Sequence, residues 1–175
     1  MVAATRKIEW WKLGANGMKW LKISHIFLSI LFFGGILSSF TLSLGLDLTN
    51  FANVYATYQS IMRISDNIIR YGGFGNLLLG LVYGAFTTWG FFKHKWLTVK
   101  WIIFVAQTLV GIVIVDGIMV SNMRLLEAQG AAALHNPVFL HDHYLRQAVV
   151  MVQIGLTIFI LIVSGLKPWR NKKKA

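Results

Sequence analysis

Four apolar stretches, near residues 23–44, 71–92, 101–120 and 147–166, constrain this chain more than anything else in it. Each offers the ~20 residues that an α-helix needs to cross ~30 Å of hydrocarbon. In lipid the backbone must satisfy its own hydrogen bonds, which leaves helices or closed barrels. Barrel strands alternate apolar and polar residues over about ten positions, whereas these runs are continuously apolar. The expected fold is therefore all-α, a single domain over residues 1–175 forming an integral membrane four-helix bundle. Composition agrees: with 56% hydrophobic and 13% charged residues, 175 residues carry more apolar side chain than a soluble core of that size can hide.

In a soluble chain a net charge of +11 would suggest nucleic acid, but here its position decides otherwise. All of the 17 basic residues except Arg63, Arg70, Arg124 and Arg146 fall in three segments. Arg6, Lys7, Lys12, Lys19 and Lys22 precede or open the first span, Lys93, Lys95 and Lys100 follow the second, and Lys167, Arg170, Lys172, Lys173 and Lys174 close the chain. The positive-inside rule then places both termini in the cytoplasm of a bacterial cell, with a multi-pass chain in its cytoplasmic membrane. Trp10, Trp11, Trp20, Trp89, Trp96, Trp101 and Trp169 lie on or near the same face, where indole anchors helix ends. The bilayer, with its anionic lipids at the inner face, is the expected partner of "RKIEWWKLGANGMKWLK". No nucleic-acid partner is expected. The first span is long for a secretory signal core and is read as a retained anchor.

Two outer segments look ordered. In "FANVYATYQSIMRISDNIIR" the apolar positions Phe51, Val54, Tyr55, Tyr58, Ile61, Met62, Ile68 and Ile69 recur at three and four, which predicts an amphipathic helix over about 51–69. It either lies on the outer leaflet or caps the bundle, and Gly72 and Gly73 stop or bend it before the second span. Asn136 before Pro137 reads as a helix N-cap that starts the fourth helix about ten residues before lipid.

Polar residues inside spans are rare and usually face a bundle interior. At about 100° per residue, Gln153, Thr157 and Ser164 share one face of the fourth span; Asn76, Gly80 and Thr87 share one of the second; His25, Ser29, Phe32, Ile36, Ser39 and Ser43 share one of the first. Gly80 and Gly84 form a GxxxG that would let helices approach closely. Counting ~1.5 Å per residue from the outer ends puts Asn76, Asp116 and Gln153 level with Ser39 or Ser43, and Gln107 with Thr87 in a layer nearer the inner face. Asp116, the only carboxylate inside a span, is then protonated, hydrogen-bonded to Asn76 and Gln153, or reached by water. Asp116, Asn76, Gln153, Ser39 and Gln107 are the candidate ligand- or ion-binding residues of an outward-facing polar layer. The plain alternative is interhelical glue.

The histidines supply a second set of candidates. His135, His141 and His143 crowd one outer segment and would bind zinc or copper with help from Asp47, Asp66 or Glu127. A helix starting at Pro137, however, turns His141 and His143 about 200° apart. The competing reading pairs Asp142 with Arg146 at i,i+4 on a solvated helix end. His25 and His94, at the inner ends of the first and second spans, would be the axial pair of a haem b. With no cysteine in the chain, thiolate metal sites and disulfides are excluded. No phosphate loop, catalytic triad or HExxH helix is present, which points away from an enzyme. Three function classes follow. They are a non-enzymatic protein that binds a partner, small ligand or ion at the polar layer, a haem- or copper-handling redox protein, and an ion or solute transporter acting as a homo-oligomer.

The basic, tryptophan-rich start, "KWLKISHIFLSILFFGG", four spans and the closing "LKPWRNKKK" resemble a bacterial family of four-span integral membrane proteins of unknown function. His25 followed by Gly34 and Gly35 in the first span is similar, more distantly, to the copper-resistance D-type membrane proteins. That likeness implies copper or redox work.

Overall fold

The computed structural model describes residues 13–87 and 90–168. The basic N-terminal stretch through Lys12, Trp89 and the tail from Trp169 lie outside the described residues. All regular structure among the described residues is helical: α1 (Ala15–Leu44), α2 (Phe51–Ile64), α3 (Arg70–Phe86), α4 (Lys95–Val110), α5 (Asp116–Gln129) and α6 (Pro137–Leu166). A π turn, Ser65–Ile69, joins α2 to α3, and a second, Gly111–Val115, joins α4 to α5. Both show i→i−5 bonding, from Arg70 N–H to the Ser65 carbonyl and from Asp116 N–H to the Gly111 carbonyl. A short 3-10 segment, Gly130–His135, leads into α6.

Among the described residues, three helical rods are long and apolar enough to cross a membrane: α1, the rod Lys95–His135 that contains α4 and α5, and α6. The outer faces of the bundle are apolar, and its buried faces mix polar with apolar side chains. Ile23, Phe27, Ile30, Met151, Val152 and Ile162 are exposed, while Ser39, Ser43, Asn76, Gln107, Gln153 and Thr157 are buried. Only 22% of the most apolar stretch of α6 is buried in the molecule. Water would not tolerate that distribution, and lipid requires it.

The second apolar stretch is shorter as a helix than its expected extent to residue 92. α3 ends at Phe86, and Thr87 is extended at φ −123° and ψ 166°. The freed Phe86 carbonyl accepts Leu13 N–H at 3.0 Å. The Phe91 ring folds back against Gly84, where a Cβ would overlap it, and Trp101 Cζ2 would sit 2.5 Å from a Cβ on Gly80. The GxxxG thus makes room for aromatic rings rather than for a helix backbone, contrary to expectation. The close helix approach is elsewhere, at Gly72, where a Cβ would stand 2.6 Å from Phe32 N, and at Gly35, 2.7 Å from Ile69 Cγ1.

Gly72 and Gly73 do not stop the amphipathic helix, which runs through the first π turn into α3. Packing fills the space their missing side chains leave, and that packing holds the helix together. The apolar face of α2 caps the bundle. Val54, Tyr58 and Ile61 are buried against Met119, Met123 and Leu126 of α5, Ala133 and Leu134 of the 3-10 segment, and Phe139 of α6. Each such burial from water is worth ~1.5–3 kcal/mol. From Lys95 to Gln129, where Gly130 at φ 57° ends it, the helix would measure ~50 Å at ~1.5 Å per residue, against ~30 Å of hydrocarbon. It is longer than a span needs, and α2 packs against its α5 end.

α6 starts as its sequence suggests. Asn136 Oδ1 accepts Val138 N–H at 2.9 Å with Pro137 at the first turn, and Asn136 Nδ2 donates to Gln129 Oε1 at 3.1 Å. Replacing Asn136 with alanine removes the cap and the tie to α5. The expected loss is ~1 kcal/mol, read as a shift in the midpoint of detergent-induced unfolding.

Candidate functional site

Among the described residues, polar side chains gather in three places. The first is a relay beneath α2. Tyr58 Oη lies 2.8 Å from His143 Nδ1, and Asn122 Nδ2 donates to Tyr58 Oη at 3.1 Å and to the Phe139 carbonyl at 3.3 Å. Gln147 Nε2 donates to the Ser43 carbonyl at 2.9 Å and lies 3.0 Å from His143 Nε2. The Ser43 bond fixes which end of the Gln147 amide faces the ring. His143 Nε2 must then accept, and Nδ1 carries the proton toward Tyr58. The ring is neutral in this arrangement, because a second proton would point at an N–H. Burial also raises the Tyr58 phenol above its ordinary pKa, against the opposing pull of the Asn122 hydrogen bond.

The second gathering is a cleft of ≈ 70 Å³ between α1, α3, α6 and the α4–α5 rod. Ser39, Gln107, Asp116 and Gln153 all line it, together with Arg70 and Arg146. Both π turns form its walls, through Ser65 and Ile69 on one side and Gly111, Ile112 and Val115 on the other. Such turns recur at functional sites because the extra residue re-aims the side chains around it. Gln153 Nε2 donates to the Gln107 carbonyl at 2.9 Å, and Thr157 Oγ1 donates to Gln107 Oε1 at 3.4 Å.

Asp116 has other partners than those expected of it within the polar layer, and its side chain is 26% exposed. It bonds neither Asn76 nor Gln153. Its Oδ1 accepts from Ser65 Oγ at 3.0 Å and its Oδ2 from Arg70 Nη2 at 3.2 Å. Arg70 also reaches Asp66 at 3.0 Å. Asp116 is thus an ion-paired carboxylate at the cleft edge. Gln107, expected in a deeper layer, sits level with Gln153. A depth count from the edges of the apolar runs fails here, because α2–α3 and α4–α5 continue past those edges as single rods with a π turn in each.

The third gathering holds Asn76, away from the cleft. Ser29 Oγ donates to Asn76 Oδ1 at 3.2 Å and to the His25 carbonyl at 2.7 Å. The His25 ring stands edge-on to Tyr83 at 5.8 Å, with its Nδ1 buried and without a hydrogen-bond partner. His94 precedes α4 and stacks on Trp96 at 6.2 Å. The outer histidines diverge. His143 turns inward to Tyr58, His141 is exposed beside Asp142 at 3.3 Å, and His135 is exposed at the end of the 3-10 segment. Among the described residues no three histidine or acidic side chains form a group suited to a metal ion.

Arg146 corrects another expectation. It does not pair with Asp142 on a wet helix end. It is 1% exposed, and its Nε and Nη2 are buried with no hydrogen-bond partner. The signal for this is present in the sequence. Phe139, His143, Arg146, Val150, Gln153 and Thr157 follow one another at alternating steps of four and three, and all are buried. Extending the Gln153–Thr157 stripe backwards lands on Arg146 and His143. Asn122 shares the buried stripe of α5 with Met119, Met123 and Leu126, but its neighbours there are apolar and give no polar signal, and the periodicity of α2 marks Tyr58 only as an apolar position.

No protein-family model, curated protein or solved structure matches this chain.

Proposed function

We infer that this protein crosses a bacterial cytoplasmic membrane four times, with both termini inside and the α2 cap outside, and binds a small ligand or ion in the cleft beneath that cap without chemical conversion. The fourth span is α3, whose 17 helical residues measure ~26 Å and pack along α1. Orientation follows from charge. Lys93, Lys95, Lys100 and Lys167 collect at the end opposite α2, and there the Lys100 and Lys167 ammonium groups lie 5.6 and 6.0 Å from the Trp96 ring. Basic side chains and indole at one end of a bundle are what the inner leaflet selects.

The observation that carries the reading is the cleft itself. Polar side chains from every rod converge on it, and a buried arginine among them lacks a partner. Interhelical glue would bond its members to each other and leave no donor free.

The absence of cysteine makes a clean test. In intact cells a Ser65→Cys variant, at the half-buried edge of the cleft beside exposed Asp66, should react with a membrane-impermeant thiol reagent, while a protease tag fused behind Ala175 should stay protected until the cells are lysed. A tag cleaved from outside overturns the orientation. A thiol that reacts only after lysis, or not at all, overturns the outward-facing cleft.

A further inference from the structure

The unpartnered atoms of Arg146 are an adjacent pair. Nε–H and Nη2–H of a guanidinium point the same way along one edge, and that edge grips a two-oxygen anion through two parallel hydrogen bonds. Both atoms are buried, and Arg146 lines the cleft. A third buried donor without a partner, Gln107 Nε2, belongs to a residue that lines the same cleft. The carboxylate on the cleft wall, Asp116, is already held by Ser65 and Arg70. The site therefore presents three donors without partners, and its arginine at this position has no ion pair of its own, because Asp116 is engaged by Ser65 and Arg70. A buried guanidinium without an ion pair of its own is costly, and an anion bound to it would offset that cost.

The surroundings narrow the anion further. Phe32, Ile36 and Val150 give the cleft an apolar wall. Phe74 and Ile112 line it too and are 52% and 45% exposed on the outside of the bundle, so the mouth opens beside side chains that meet lipid. Arg70 stands at the same mouth, half exposed. The geometry points to an oxyanion site, for a carboxylate or phosphate held side-on by Arg146 with Gln107 as third donor. This assignment rests on reading the cleft as a ligand site. The oxyanion arrives free in water or as the head of an amphiphile sliding in from the bilayer, and the chemistry at Arg146 is the same for both.

The test uses the full chain in phosphatidylcholine nanodiscs, titrated calorimetrically with sodium acetate, inorganic phosphate, sodium laurate and, as a cationic control, dodecyltrimethylammonium. At least one oxyanion should bind saturably with one site per chain. Arg146→Lys, which keeps the charge but loses the fork, should weaken it at least tenfold; Arg146→Met should abolish it, and Gln107→Leu should weaken it severalfold. Saturation by acetate or phosphate assigns a water-borne anion. Saturation by laurate alone assigns a lipid-borne one. Equal affinity in wild type and Arg146→Lys, tighter binding of the cation, or no saturable oxyanion overturns the assignment. Arg146→Lys and Gln107→Leu keep the question decidable should Arg146→Met fail to fold. Labelling of the Ser65→Cys thiol separates the two levels of inference. A thiol that reacts from outside but is not shielded by any oxyanion removes the anion and keeps the cleft, whereas an unreactive thiol removes both.

Discussion

Gly72→Val will separate α1 from α3, and Gly72→Ala will already cost ~2–3 kcal/mol, while Gly34→Ala will be silent within ~0.5 kcal/mol. A Cβ on Gly72 would meet Phe32 N at 2.6 Å, Phe32 Cα at 2.9 Å and Phe32 Cβ at 3.0 Å. Two of those atoms are backbone, so no rotamer change clears them, and relief requires one helix to move off the other. A Cβ on Gly34 meets nothing within 4 Å. In lipid no hydrophobic drive holds two apolar helices together, so van der Waals packing at a close crossing is much of what joins them. Phe32 also forms part of the cleft wall, so the displacement reaches the site. Unfolding in mixed micelles of sodium dodecyl sulfate measures all three variants, and equal midpoints for Gly34→Ala and Gly72→Ala would show that α1 and α3 do not cross there.

The second large effect is expected at His143. Its ring is 2% exposed and joins α2 to α6 through Tyr58 and to α1 through Gln147 and the Ser43 carbonyl. Truncation to alanine opens a cavity and strips a partner from the Tyr58 hydroxyl and the Gln147 amide together. Cavity and unsatisfied groups add to ~3–5 kcal/mol. The destabilisation should be local before it is global. Amide exchange should rise across α2, whose buried face is Val54, Tyr58 and Ile61, and stay slow in the middle of α1. Tyr58→Phe, which removes one hydroxyl and keeps the ring, should cost ~1–3 kcal/mol and loosen the same helix less. Unchanged exchange in α2 of the His143→Ala protein would show that the cap is held by its apolar packing alone.

Local chemistry made part of this molecule legible in its sequence. The helical class, the apolar outer surface and the start of α6 at Asn136 and Pro137 each depend on transfer of side chains to lipid, on three-four periodicity or on capping. The gathering of Ser39, Gln107, Asp116 and Gln153 at one cleft is legible only in part, since a depth count places Gln107 in another layer and wrongly groups Asn76 with the rest. Gly80 and Gly84 match a packing motif, yet Gly72 makes the close crossing. A GxxxG states that a surface is smooth, and the facing element decides what lies in the groove.

The apolar helices long enough to span a membrane, the choice of helix over strand and the inward faces of α1 and α2 were settled by the order of side chains along the chain, because they are sums over neighbours within a turn or two. The partners of Asp116, the isolation of Arg146 and the docking of α2 over the bundle were settled only when the rods packed. Two π turns shift the register of everything beyond them, and no residue adjacent in sequence reports which distant donor or acceptor will then lie within ~3 Å.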